Sequence, residues 1–132
     1  MTATATAPLS FDQPELLCRI DTLDDAALDE LPFGVIGFDS DTVVRRYNAF
    51  ESRCAGLSPQ RVMGYKLFTT VAPCMNNFMV AQRFDDATAS GSALDETINY
   101  VLTLRMRPVK VRLRLLRASS STHSYVLVHR PA

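Results

Sequence analysis

The sequence predicts an α+β domain: a central antiparallel sheet of about five strands, helices on one face, and a helical cap at the N-terminus. Three observations predict it. Five short segments read as strands, several with clear alternation of apolar and polar residues. Stretches with helical spacing stand before the first strand and between the second and third. The strands follow one another as hairpins with the helices gathered between them, the order of an antiparallel α+β sheet. The chain's 132 residues make one domain, burying about two-thirds of the surface its unfolded form exposes. Residues 1–30 are assigned to the cap, with residues 1–10 frayed, and residues 31–132 to the sheet domain.

From Asp12 to Leu31, Leu16, Leu17, Ile20, Leu23, Ala27 and Leu28 recur at helical spacing. Thr22 and Asp25 fit a capping box starting a second short helix, and Pro32 ends it. Neither helix is long enough to be stable alone, so both should lie against something larger. Phe33–Asp39 reads as a strand, Ser40–Thr42 as a turn and Val43–Tyr47 as the antiparallel mate. Residues 48–71 carry Gly56, Pro59 and Gly64 and read as short helical pieces. Phe78, Ala81, Phe84 and Ala87 share one face of a helix over Asn76–Ala89, with Gly91 at its C-cap.

Thr97–Arg105 alternates, placing Ile98, Tyr100, Leu102 and Leu104 on one side. Arg107-Pro108 interrupts that strand. Val109–Leu115 points Val111, Leu113 and Leu115 inward and Lys110, Arg112 and Arg114 to water, a basic row that discourages edge pairing. A loop over Ser119–Thr122 leads to a last strand, His123–Arg130.

Fourteen bases balance fourteen acids, so binding of nucleic acid through overall basicity is not expected. No apolar run reaches the ~18 residues that span a bilayer, and the N-terminus lacks the basic and apolar regions of a secretory signal, which points to the cytoplasm. The charges are segregated: residues 1–60 hold ten acids and four bases, residues 61–132 four acids and ten bases. The two halves are expected to complement each other within the fold. The basic row could alternatively dock an acidic partner.

Cys18, Cys54 and Cys74 form no C-x-x-C pair and are odd in number, against both a disulfide framework and a zinc finger. His123 and His129 share a strand face without a carboxylate near them in sequence, so no metal site is expected. Without a glycine-rich phosphate loop, nucleotide chemistry has no support. Three residues stand out together. Tyr47 and Glu51 are four apart and stack on one face if the chain turns helical at Asn48. A buried carboxyl is held neutral by desolvation, and an acid beside a phenol makes two donors for an oxyanion. Cys74 follows Val-Ala-Pro, and Pro73 fixes the backbone ahead of the thiol.

Leu31-Pro-Phe-Gly-Val-Ile36, Arg46-Tyr-Asn-Ala-Phe-Glu51, Val71-Ala-Pro-Cys74, Met106-Arg-Pro-Val-Lys-Val111 and Ser124-Tyr-Val together resemble the photoactive yellow proteins, blue-light receptors of PAS fold. The resemblance covers about residues 21–130, and makes 31–132 a PAS-like photosensory domain. It implies a 4-hydroxycinnamoyl (p-coumaric acid) chromophore held as a thioester on Cys74, its phenolate hydrogen-bonded by Tyr47 and Glu51. It further implies a pocket of Ile36, Ala55, Leu57, Leu67, Val71, Ala72, Pro73, Tyr100, Leu102 and Met106. Light would isomerise the chromophore, Glu51 would protonate the phenolate, and a carboxylate left buried without a partner would force the fold open, loosening the N-terminal helices. No enzymatic activity, nucleic acid or membrane is implied; a downstream signalling protein is, and a weak homodimer stays open.

Departures cluster at that pocket. Ala55 replaces a threonine that supports the tyrosine in the family, Leu57 an arginine lid, and Leu67 and Leu102 phenylalanines. Ala55, Leu57 and Leu102 favour the alternative of a chromophore-free PAS module for interaction or ligand sensing. Acyl-transfer or redox chemistry at Cys74 is weaker still, for want of a histidine to activate the thiol.

Overall fold

The computed structural model describes residues 9–103, 108–119 and 123–130. In chain order come α1 (Leu16–Thr22), α2 (Asp25–Asp29), β1 (Gly34–Asp39), β2 (Val44–Tyr47), α3 (Ala49–Ala55), α4 (Pro59–Val62), α5 (Ala81–Ser90), β3 (Leu94–Leu102), β4 (Val109–Arg117) and β5 (His123–His129). A π-helical turn at Leu67–Val71 and a 3-10 turn at Pro73–Met75 precede α5. The five strands form one sheet in the order β2-β1-β5-β4-β3, every neighbouring pair antiparallel. The expected architecture is present.

Alternation along the strands sorts side chains into two layers. Ile36, Val126, Val128, Leu113, Leu115, Val111 and Leu102 face the inner layer, where they pack with Val62, Leu67, Phe68, Met75, Val80 and Phe84. Phe38 sits edge-on to Phe84 and Phe68 at ring separations of 5.0 and 5.5 Å. Val35, Leu127, Tyr125 and Leu116 face the outer layer, and the N-terminal segment covers them through Leu9, Phe11, Leu16, Ile20 and Leu28. The sheet is therefore covered on both sides.

Two arginines of the sheet tie the cap down. Arg114 Nη1 donates to the carbonyls of Phe11 and Gln13, while its other nitrogens hold Asp95. Arg46 donates to the carbonyls of Ile20 and Leu23 at the end of α1 and to the Tyr125 hydroxyl, which itself donates to Asp21. Of the expected solvent-facing basic row, Lys110 is exposed as expected, but Arg114 is buried under the cap and Arg112 makes a two-pronged pair with Asp12. The charge segregation of the sequence is used across this same boundary.

Some element edges move. The second helix is capped by Asp24, whose carboxylate accepts from Ala27 N, while Thr22 donates back to Arg19 O. The expected Thr22 cap is replaced because Asp24 stands next to the first helical residue. α5 begins at Ala81, and Phe78 is 79% exposed. Asn77 prevents an earlier start, since its side-chain oxygen takes the N–H groups of Met79 and Val80 in a local turn. Gly91 caps that helix at φ 66° as expected. The fraying expected for residues 1–10 falls mainly outside the described residues, although Leu9 is buried.

Candidate functional site

β2 ends at Tyr47 and α3 begins two residues later, so one sharp junction orients both groups that stood out in the sequence. Asn48 makes that junction. Its side-chain oxygen caps α3 by accepting from Glu51 N and also accepts from Val35 N. Its amide nitrogen donates to the carbonyls of Leu28 and Phe33. α3 is thereby locked over the start of β1, with Glu51 on its inward side.

Glu51 is buried against backbone. A Cβ on Gly34 would lie 2.0 Å from Glu51 Oε1, so the carboxyl occupies space that any side chain at position 34 would fill. Its charge is met by Arg130, which donates Nη1 to Oε1 at 2.7 Å and Nη2 to Oε2 at 3.0 Å. The two side chains are 3% and 14% exposed. Burial pushes the Glu51 carboxyl above its usual range, and the guanidinium pulls it back. The expected carboxylate without a partner is overturned: β5 runs antiparallel to β1, pairing Val128 with Gly34, and the next inward position along β5 is Arg130.

Tyr47 is also buried, and among the described residues its hydroxyl is one of the few buried polar atoms without a hydrogen bond. Burial first, and the charge of Glu51 second, push it well above the ordinary phenol value, with Arg130 opposing. Tyr47 and Glu51 line one cavity with Ile36, Ala55, Leu57, Val71, Ala72, Met75, Leu102 and Val128. The space open to the centre of a water molecule is about 10 Å³, room for one water.

Cys74 lies in the 3-10 turn between the lining residues Ala72 and Met75, half-buried against the same core cluster. Its carbonyl accepts from the Tyr100 hydroxyl at 2.6 Å and from Asn77 Nδ2 at 3.3 Å, which fixes the turn from two sides. Cys18 and Cys54 are exposed. His129 packs on Phe11 in the outer layer, at a ring separation of 5.2 Å. Among the described residues no cluster of three or more His, Cys, Asp or Glu could hold a metal ion. No described helix is long and apolar enough to cross a membrane.

Of the pocket residues expected from the resemblance, Ile36, Ala55, Leu57, Val71, Ala72 and Leu102 line the cavity. Leu67 is packed into the core beyond it, and Pro73 is exposed on the outside of its turn. Tyr100 lines a separate open groove of about 690 Å³ beside β3 and β4, with Asn77, Val111 and His129. Met106 lies outside the described residues. Sequence reasoning missed Met75, Val128, Gly34 and Arg130. Val128 was readable from the parity of β5, and Arg130 continues that parity one step further.

The chain matches the PAS fold family over residues 28–130. It is 32% identical over 122 residues to a photoactive yellow protein of Rhodothalassium salexigens, covering 92% of this chain and 97% of that one. The chain belongs to the photoactive yellow protein family. A second photoactive yellow protein, from Halochromatium salexigens, is 30% identical over 91% of this chain and 95% of its own length. In three dimensions the chain is similar to the crystal structure of the photoactive yellow protein domain of the sensor histidine kinase Ppr from Rhodospirillum centenum. That comparison gives a TM-score of 0.78 at 38% identity, over 86% of this chain and 98% of that domain. Membership in this family supports a PAS photoreceptor.

Proposed function

We propose that the protein is a non-enzymatic blue-light receptor that carries a 4-hydroxycinnamoyl group as a thioester on Cys74. The observation that carries the reading is the orphaned Tyr47 hydroxyl, buried in an apolar cavity beside the Glu51 carboxyl. A buried phenol without a partner is costly unless a ligand uses it. The donor set fits a phenolate: two oxygen acids within one cavity, apolar walls along its length, and a half-buried thiol in the turn that closes it. When bound, the cinnamoyl group would supply a photoisomerisable double bond and a phenolate as proton acceptor, with Cys74 as its attachment point and Tyr47 and Glu51 at its charged end.

The chain's own residues do the rest. Tyr47 presents its unpaired hydroxyl to the ligand's charged end. Glu51 donates beside it once it carries a proton and one oxygen is released by Arg130. Tyr100 with Asn77 holds the Cys74 backbone still. Leu57 and Val71 are the half-buried members of the wall and must swing aside for a group of cinnamyl size to enter. Residues 31–132 form the photosensory unit, and residues 1–30 its cap. The cap, whose own helices are too short to be stable alone, is the part that loosens in light for a downstream signalling protein.

A chromophore-free PAS module using the same cavity is the second reading, favoured by how little open space the cavity holds. Mixing the purified protein with activated 4-hydroxycinnamic acid separates the two. A blue-absorbing band that bleaches in light, disappears in Cys74→Ala and shifts in Glu51→Gln is expected. A colourless protein with an unmodified Cys74 thiol would establish the module instead.

A further inference from the structure

Once Glu51 gives up its proton it must exist as a buried carboxylate, and the structure already holds a cation against it. Arg130 meets both carboxylate oxygens in a two-pronged pair, the geometry that a guanidinium makes best. The pair is enclosed. Tyr47 faces the site from β2, Asn48 caps α3 beside it, the bare backbone of Gly34 closes it from β1, and the exposed Cys54 of α3 is the further titratable group near Arg130. Among the described residues Arg130 has no second carboxylate as a hydrogen-bond partner, and Glu51 has no second base.

We propose that Arg130 is a positioning residue for the photoreaction: it is the resident counter-ion of Glu51, and it keeps the ionised carboxylate inside the closed core. This rests on the photoreceptor reading for its consequence, though not for the pair itself. Two acids sharing a dry site hold one proton between them, and a nearby cation shifts that proton away from the acid it touches. Arg130 touches Glu51, so it lowers the cost of proton donation and lengthens the life of the ionised state. The fold need not open fully to wet the charge, because the charge is already matched.

The decisive test needs no pigment. The Glu51 carboxyl is followed by carbon NMR against pH in the unloaded protein, in Arg130→Gln and in Arg130→Lys, with Glu51→Gln assigning the signal. Arg130→Gln is expected to raise the carboxyl's proton affinity about tenfold or more. Arg130→Lys should restore part of that change, since it keeps the charge and loses the fork. An unshifted Glu51 titration in Arg130→Gln overturns the assignment. If that variant does not fold, the lysine variant decides: a partial shift supports the assignment and no shift overturns it.

In pigment-loaded protein, Arg130→Gln should shorten the light state about tenfold and increase hydrogen exchange in the inner layer during illumination. An unchanged lifetime with a shifted Glu51 titration would overturn the role in the photoreaction. Failure of the wild-type protein to take pigment would count against the photoreceptor reading, and the titration would still judge the pair.

Discussion

Asn48 is 1% exposed and spends a single amide on four backbone groups drawn from α2, the approach to β1, β1 itself and α3. Alanine there removes a helix cap and strands buried donors and acceptors together. Asn48→Ala should destabilise the protein by about 3 kcal/mol, read from urea denaturation. Gly34 offers a second test at this scale. Its φ is unremarkable, so Gly34→Ala acts through space alone, driving a methyl into the Glu51 carboxyl. Loss of the Glu51–Arg130 pair, seen as an altered Arg130 guanidinium NMR signal, is the expected result. Asn48 itself was legible as a turn of direction after Tyr47. Its reach to three other segments was not, because no local pattern reports long-range hydrogen bonds.

At the scale of elements, the cap is held by carbonyls as much as by apolar packing. Arg114→Ala removes two such anchors and the partner of Asp95. Hydrogen exchange should quicken across residues 9–30 while the centre of the sheet stays protected. Uniform acceleration throughout the chain would mean that cap and sheet form one cooperative unit. The five strands were legible from turn residues and short apolar runs, with alternation in β3 and the start of β4, while β1 is buried on both faces and shows none. The start of α5 was misread because Phe78 and Ala81 have helical spacing, while Asn77 binds the intervening N–H groups. Arg114 was misread for a related reason. Alternation assigns a side chain to a face, and only the tertiary structure says that a second layer covers that face.

For the whole molecule, acid should act in two opposed stages. Burial raises Glu51 above its unfolded value, with Arg130 opposing, so its charge costs stability at neutral pH. That cost disappears as pH falls through the raised folded value. Asp12 is the reverse case. The hydrogen bond from Arg112 holds it below its usual 3.8, so its contribution is present above that value and lost on further acidification. Stability should rise on mild acidification and fall below about pH 3.8, measured as urea midpoints across pH. Glu51→Gln should flatten the first stage and leave the second. Tyr47 and Glu51 were legible as neighbours through family motifs, and Cys74 falls in the turn next to their cavity. Arg130 was invisible to them, since it reaches Glu51 only after β5 folds beside β1.

Arg46 and Tyr47 are consecutive on β2, yet one is sunk into the cap and the other into the cavity. A single peptide plane therefore joins the side chain that lines the cavity to the one that holds the end of α1. The distance from pocket to periphery is one residue, and no relay through the body of the protein is required.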